Sequence, residues 1–231
     1  MTYQNDAPAT TGLRPSPATA GVLLSQAFLW MFAGLLLTAG VAFTVASNKT
    51  VMASVVDIWL PIFFGQLALV FVIGLGIRKM SATLALGLFF VYAATLGFTM
   101  AVIVSLYTGE SVASAFLSAA AMFGAAGIYG VTTKRSLAGL GGILVMGVVG
   151  LIVATLINAF FPSGPLSWVI SLVGVVIFTA LTAYDTQKIA SGALVERTGS
   201  VEKAAVIGAL QLYLDFVNLF LFLLRLLGNR R

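Results

Sequence analysis

The sequence predicts an all-α integral membrane protein with seven transmembrane helices. Of its 231 residues, 60% are hydrophobic and only 8% are charged, whereas soluble domains carry about 25% charged residues. Twelve Lys and Arg with seven Asp and Glu cannot cover the surface of a soluble globule of this size. The uncharged runs are continuously apolar and do not alternate with a period of two, so helices are predicted rather than a β-barrel.

Each predicted span rests on a mostly apolar stretch of sequence that is long enough to cross a membrane, because a transmembrane helix needs about 20 predominantly apolar residues. The first four runs are uncharged: Pro15 to Asn48, Ile58 to Ile77, Met80 to Gly109 and Ser111 to Thr133. The fifth and sixth spans share the uncharged run 136–184, which the turn-forming residues 161–165 divide. The seventh is apolar except for Asp215 and Arg225 and a few uncharged polar side chains. The predicted spans are 22–46, 55–77, 82–106, 111–131, 137–160, 166–187 and 204–227.

Residues 1–20 are polar and rich in Ala, Thr and Pro, and a disordered tail is predicted there. A single membrane domain is predicted over 21–231. The tail is too long, and the apolar run after it too extended, for a cleavable signal peptide. Basic residues in the loops favour a cytoplasmic amino terminus, eight against four. The basic carboxyl-terminal tail opposes this assignment. Either the seventh helix crosses completely, against the rule, or it is re-entrant and leaves the tail in the cytoplasm; a complete crossing is preferred.

Composition also excludes several function classes. The chain has no Cys and no His, which removes disulfides, thiolate chemistry, imidazole metal ligands and His-based acid–base catalysis. The net charge of +5 arises from the scarcity of acids and not from a basic patch, so no nucleic-acid partner is expected. The lipid bilayer is the expected partner, and no enzyme activity or bound cofactor is predicted.

Small residues recur at four-residue spacing, which allows helix backbones to approach closely. The pairs are Ala115 with Ala119, Ala120 with Gly124 and Ala138 with Gly142. Tight helix packing is predicted at all three.

Two acidic residues carry the functional prediction, because a carboxylate inside a membrane helix is costly and marks a functional site by default. Asp215 lies within the seventh span, and Gln211, Asn218 and Arg225 fall on the same stripe of that helix. Asp185 ends the sixth span, whose Thr179, Thr182 and Thr186 share its sector, and it follows Tyr184.

The sixth and seventh spans are sequence neighbours, so the two aspartates are expected to face each other near the cytoplasmic side. Two carboxylates in a low dielectric cannot both ionise cheaply and can share one proton. Such a pair could be a pH-sensitive gate, a weak Ca²⁺ site or an aspartyl catalytic dyad. Asp185 has two candidate cationic partners: Lys188, one turn away, and Arg78, which could latch the cytoplasmic mouth.

The sequence FTALTAYDTQKI over 178–189 and the sequence ALQLYLDFVNLF over 209–220, continuing to Arg225, resemble the two signatures of the Bax inhibitor-1 family. The resemblance implies two three-helix layers around a central carboxyl-terminal helix, and a pH-dependent Ca²⁺ leak across the membrane. It implies that Asp185 and Asp215 are the proton-sharing pair and that Arg78 is the latch. The short polar tail resembles bacterial members, which implies the cytoplasmic (inner) membrane.

One departure concerns the second span, where some bacterial relatives carry a carboxylate about three turns before the latch arginine. Here the nearest polar residue is Gln66. The expected attraction for cations is correspondingly weaker. The residues predicted to line the pore or support the aspartate pair are Gln66, Thr182, Tyr184, Gln211, Asn218 and Arg225.

Two alternatives remain open. Some bacterial relatives are thought to regulate a membrane-bound ATP-dependent protease, and the tail 1–20 could bind such a partner without any transport. Paired aspartates, with Tyr184 before Asp185, also occur in intramembrane aspartyl proteases. Against that reading, Leu212-Tyr213-Leu214 precedes Asp215 in place of Gly-x-Gly, and no Pro-Ala-Leu motif follows.

Overall fold

The computed structural model describes residues 17–230, and these residues form a bundle of long helices. The α-helices are α1 Pro17–Ala46, α2 Lys49–Asp57, α3 Trp59–Gly76, α4 Ala82–Ser105, α5 Gly109–Thr132, α6 Gly141–Phe160, α7 Gly164–Ala190, α8 Ala193–Thr198 and α9 Val201–Leu227. A 3₁₀ turn, Ala138–Leu140, leads into α6. Within the described residues, seven helices are long and apolar enough to cross a membrane: α1, α3, α4, α5, α6 with its 3₁₀ turn, α7 and α9. The predicted all-α membrane fold and its seven spans are confirmed.

The predicted tail lies mainly outside the described part of the chain, because residues 1–16 fall there. Residues 17–20 belong to α1, so the helix begins four residues before the predicted end of the tail. Two short helices were not predicted: α8 lies in the connection between the sixth and seventh spans, and α2 lies before the second span and includes residues 55–57, which were predicted to begin that span.

Polar side chains fix several helix starts. Asn48, Ser81, Thr108, Ser163 and Ser200 precede α2, α4, α5, α7 and α9, and each accepts a hydrogen bond from a backbone N–H of the first turn. Such caps satisfy donors that have no partner within the helix. The starts of the long helices α4, α5, α7 and α9 are therefore fixed by a capping side chain, whereas α3 and α6 begin without one.

The last long helix, α9, lies at the centre of the bundle. It packs against α1, α4, α5 and α7. In its most apolar 18-residue stretch 67% of the residues are buried, against 11% in that of α3 and 17% in that of α6. The central carboxyl-terminal helix that the family resemblance implies is therefore present. On either side, α3 packs on α4 and α4 on α1, while α6 packs on α7 and α7 on α5. The grouping of these helices into two layers stays a prediction.

The carboxyl terminus is hydrogen-bonded to the connection between α4 and α5. The Thr108 N–H donates to the Asn229 carbonyl oxygen (3.1 Å), and the Asn229 N–H donates to Ser111 Oγ (2.9 Å). The Arg230 guanidinium lies 5.9 Å from the centroid of the Tyr107 ring. The end of α9 is thus on the same side of the bundle as the α4–α5 connection, in agreement with a complete crossing by the seventh span.

Candidate functional site

The two aspartates lie on packed antiparallel helices, α7 and α9. A Cβ added to Gly208 of α9 would contact Ile189, and one added to Gly174 of α7 would contact Phe222. This register puts Asp185 level with Gln211, and Asp215 about one turn further from the α7–α9 connection. The structure therefore brings together the two signature segments that the sequence analysis singled out.

Both carboxylates are buried. Asp185 is 6% exposed and Asp215 is 4% exposed. The Lys188 ammonium lies 3.5 Å from Asp185 Oδ1 and 5.5 Å from the centroid of the Tyr184 ring. The charges of Asp185 and Lys188 both act on Asp215. The site therefore contains two carboxylates and one ammonium group, and ionising both carboxylates leaves an uncompensated negative charge in a low-dielectric region.

Three buried side-chain oxygens at this site have no hydrogen-bond partner in the part of the chain that the structure describes. They are Asp215 Oδ2, Gln211 Oε1 and Thr186 Oγ1. An unsatisfied buried polar atom costs about 1–3 kcal/mol. Buried polar atoms are normally paired, so three exceptions on two facing helices need an explanation.

The predicted latch between Arg78 and Asp185 is not formed in this structure. Arg78 Nε donates to the Arg197 carbonyl oxygen (2.7 Å), and Lys203 Nζ donates to the Arg78 carbonyl oxygen (3.2 Å). The physical reason is helix placement, because α3 packs mainly on α4 and its carboxyl-terminal connection meets the α8–α9 segment. Among the described residues, the ion-pair partner of Asp185 is Lys188, the local alternative that the sequence also offered.

Of the predicted supporting residues, Gln211 lies beside the pair and Tyr184 lies under Lys188. Two others bond to their own helices: Thr182 Oγ1 donates to the Phe178 carbonyl oxygen (2.8 Å), and Asn218 Nδ2 to that of Leu214 (2.8 Å). Their polar atoms are thus already engaged.

The remaining two supporting residues lie away from the pair. Arg225 is exposed, with its guanidinium 5.9 Å from the centroid of the Phe222 ring. Gln66 is buried and ties α3 to α4, because its Nε2 donates to the Thr95 carbonyl oxygen and to Thr99 Oγ1, each at 2.9 Å.

Within residues 17–230, no group of three or more His, Cys, Asp or Glu residues comes together to hold a metal ion. The Ca²⁺ site predicted at Asp185 and Asp215 stays a prediction. Its oxygen neighbours include Gln211 and Thr186, and oxygen is the ligand type that Ca²⁺ prefers, but the Lys188 ammonium also lies 3.5 Å from Asp185.

Thr186 is the site residue that the sequence analysis did not select. It shares a helical sector with Asp185, but so do Thr179 and Thr182, and the sequence offered no means of separating the three. Thr186 differs because its hydroxyl has no partner, and only the helix packing reveals this.

The chain is similar to known proteins over about 90% of its length. A family model described as "Inhibitor of apoptosis-promoting Bax1" matches residues 21–231. Inner membrane protein YbhL of Escherichia coli K12 is 44% identical over 214 residues, covering 90% of this chain and 92% of that protein. An uncharacterized protein of Deinococcus radiodurans is 43% identical over 209 residues, covering 90% of each chain. An uncharacterized protein of Borreliella burgdorferi is 40% identical over 213 residues, covering 90% of this chain and 92% of the other.

Proposed function

The chain belongs to the Bax inhibitor-1 family, and on that premise we propose that it is a pH-sensitive calcium leak channel of the bacterial inner membrane. The observation that carries the proposal is the buried pair Asp185 and Asp215, which faces a single ammonium group. The inner-membrane location is supported by the 44% identity to a protein named for that membrane.

Gating in this proposal depends on the shared proton. With Asp185 ionised, its charge holds the Lys188 ammonium at 3.5 Å on the same helix, and we assign this arrangement at the end of α7 to the closed state. Proton uptake by the pair removes one negative charge and weakens that contact, because a charge-assisted interaction needs an ionised partner. Acidification therefore favours the open state.

Calcium is the proposed permeant ion, and protons are the regulator. Ca²⁺ binds six to eight oxygen ligands when held tightly. Two carboxylates with the amide oxygen of Gln211 offer fewer ligands, so binding is loose, as passage through a leak requires.

The proposal predicts a pH-dependent calcium flux. In proteoliposomes, Ca²⁺ flux through the wild-type protein should rise at mildly acidic pH. Asp185→Asn should flatten this dependence, because an amide takes up no proton in this range and holds Lys188 more weakly. The matched control is Asp57→Asn, which changes an exposed carboxylate at the end of α2 and should keep the wild-type profile. Flux that ignores both pH and Asp185→Asn contradicts the proposal.

Lys188 gives a second prediction, with a definite sign. Lys188→Met removes the cation that favours ionised Asp185, so the pair takes up its proton at a higher pH. The half-maximal pH of Ca²⁺ flux should therefore rise, because a nearby opposite charge favours the ionised carboxylate and its removal favours the protonated one. Lys188→Arg should restore the wild-type value, and Lys134→Met, at an exposed position after α5, should leave it unchanged. A downward shift in Lys188→Met would refute the assigned ion pair.

The same preparation distinguishes the two other functions. A membrane-protease regulator would show no flux and would lose its partner when residues 1–20 are deleted. An intramembrane aspartyl protease would cleave a transmembrane reporter, and Asp215→Asn would abolish the cleavage.

A further inference from the structure

We propose that Thr186, Gln211 and Asp215 together bind one water molecule between α7 and α9. The three side chains contribute the buried oxygens that have no partner among the described residues. Gln211 and Asp215 are four residues apart on α9 and therefore share one face of that helix. Thr186 is on the facing helix, level with Gln211 in the register that the contacts of Gly208 and Gly174 establish.

The hydrogen-bonding capacities of the three groups match those of one water. A carboxylate oxygen and an amide oxygen are acceptors, and a hydroxyl can donate. A water molecule can donate to Asp215 Oδ2 and to Gln211 Oε1 while accepting from Thr186 Oγ1. Buried waters in proteins make about three hydrogen bonds to groups that lack other partners.

The hydroxyl of Thr186 behaves differently from the neighbouring threonines of α7. Thr179 Oγ1 donates to the Val175 carbonyl oxygen (2.7 Å), and Thr182 Oγ1 donates to that of Phe178 (2.8 Å). Such bonds to the preceding turn are the usual way in which a helical threonine satisfies its hydroxyl. Thr186 is 0% exposed and makes no such bond, so its hydroxyl is free to serve a ligand inside the bundle.

A third helix closes the same position. A Cβ added to Gly127 of α5 would lie 3.8 Å from Thr186 Oγ1, so α5 also packs against this hydroxyl. The position is enclosed by three helices and lined by polar atoms, which are the conditions for a buried water.

The water site lies on the more enclosed of the two carboxylates. The Asp185 side chain is 8% exposed and contacts Lys188, whereas Asp215 Oδ2 is fully enclosed. A water bound to Asp215 Oδ2 gives this carboxylate a partner for proton exchange. This consequence rests on the proposed function, but the water site itself does not.

Thermal unfolding in detergent tests the site without any flux measurement. If the water is bound, Thr186→Val deletes one of its hydrogen bonds and should lower Tm by about 2–4 °C. If the position is dry, the same change replaces an unpaired hydroxyl by a methyl group of equal size, and Tm should rise or stay constant. The control is Thr179→Val. The Thr179 hydroxyl bonds to its own helix, so the Tm of this variant should stay within about 1 °C of that of the wild type.

A double variant separates a shared ligand from two independent effects. Thr186→Val and Gln211→Met should each lower Tm, and the double variant should lower it by less than the sum, because both changes remove the same water. Additive losses, or a rise in Tm for Thr186→Val, overturn the proposal.

An experimental structure of the wild-type protein decides the matter where the variants fail to fold. The expected result is density for one water at about 2.7–3.2 Å from all three oxygens. A site without density, or an ion at about 2.3–2.6 Å whose removal by EDTA lowers Tm, overturns the water in favour of a dry pocket or a bound cation.

Discussion

Gly130→Val is expected to prevent the accumulation of folded protein, because it acts where the backbones of α5 and α7 touch. A Cβ added to Gly130 would overlap the carbonyl oxygen of Ala183. Backbone atoms of a helix cannot move aside as the end of a flexible side chain can, so the two helices must separate. Overpacking a core typically costs about 1–3 kcal/mol and sometimes more. A valine against backbone should cost at least about 3 kcal/mol, a large share of the usual 5–15 kcal/mol of total stability.

The measurement is the yield of monodisperse protein on size-exclusion chromatography, followed by Tm. The matched control is Gly124→Val in the same helix, where a Cβ meets nothing within 4 Å. Both variants make the same Gly→Val change in intrinsic helix propensity, which slightly favours Val, so the comparison isolates the steric effect. If Gly130→Val elutes and melts like Gly124→Val, the close contact between α5 and α7 is wrong. The contact also matters for function, because Ala183 lies two residues from Asp185.

Tyr213→Ala is expected to cost about 3–5 kcal/mol, the range for truncating a buried aromatic residue. Tyr213 is 0% exposed, and its ring packs edge-on against Phe89 and Tyr92, with centroids 5.5 Å and 5.8 Å away. Its hydroxyl lies 2.6 Å from Thr38 Oγ1. Thr38 Oγ1 is also within hydrogen-bond distance of the Gly34 and Ala93 carbonyl oxygens, at 2.9 Å and 2.8 Å. This network joins α9 to α1 and α4.

Smaller substitutions should show an unequal pattern. Tyr213→Phe should cost only about 0.5–1.5 kcal/mol, because Thr38 can still donate to a carbonyl oxygen. Thr38→Val should cost about 1–3 kcal/mol, because it leaves the buried Tyr213 hydroxyl without a partner. The double variant should be less destabilised than the sum of the two. Unfolding of the four proteins in detergent completes the cycle, and additive costs would argue against the bond.

The seven spans were predicted from hydropathy and charge, and their ends deviate for local reasons. The second span begins at Trp59 and not at 55, because Asn48 caps a separate short helix, α2. The sixth continues past 187 to Ala190. There the Gln187 side chain accepts from the Leu137 N–H (2.7 Å) and donates to the Arg135 carbonyl oxygen (2.9 Å). Polar residues at the end of an apolar run therefore need not end its helix.

The small-residue spacing predicted close packing only in part. Ala115 and Ala119 are fully buried, whereas Ala120, Gly124 and Gly142 are exposed. Two helix backbones also approach closely at Gly130, where an added Cβ would overlap the Ala183 carbonyl oxygen. Spacing alone places small residues on one face of a helix, but it does not say which face meets a neighbour.

The choice of cation at the site was likewise open in the sequence. Lys188 lies one turn from Asp185, whereas Arg78 lies in the connection between α3 and α4, and the charge pattern allowed either residue to be the partner. In the structure, Lys188 forms the ion pair with Asp185, and Arg78 Nε donates a hydrogen bond to the Arg197 carbonyl oxygen. A long-range pair depends on the position of α3, which the local pattern does not contain.

The sequence by itself determined the membrane class, the seven spans and the two carboxylates on which the function is argued. These follow from hydropathy and charge, which are properties of short stretches of chain. Only the tertiary structure decided the partner of Asp185, the enclosure of Thr186 and the contact at Gly130. Those features depend on the rotation and register of whole helices, which many weak packing contacts set jointly.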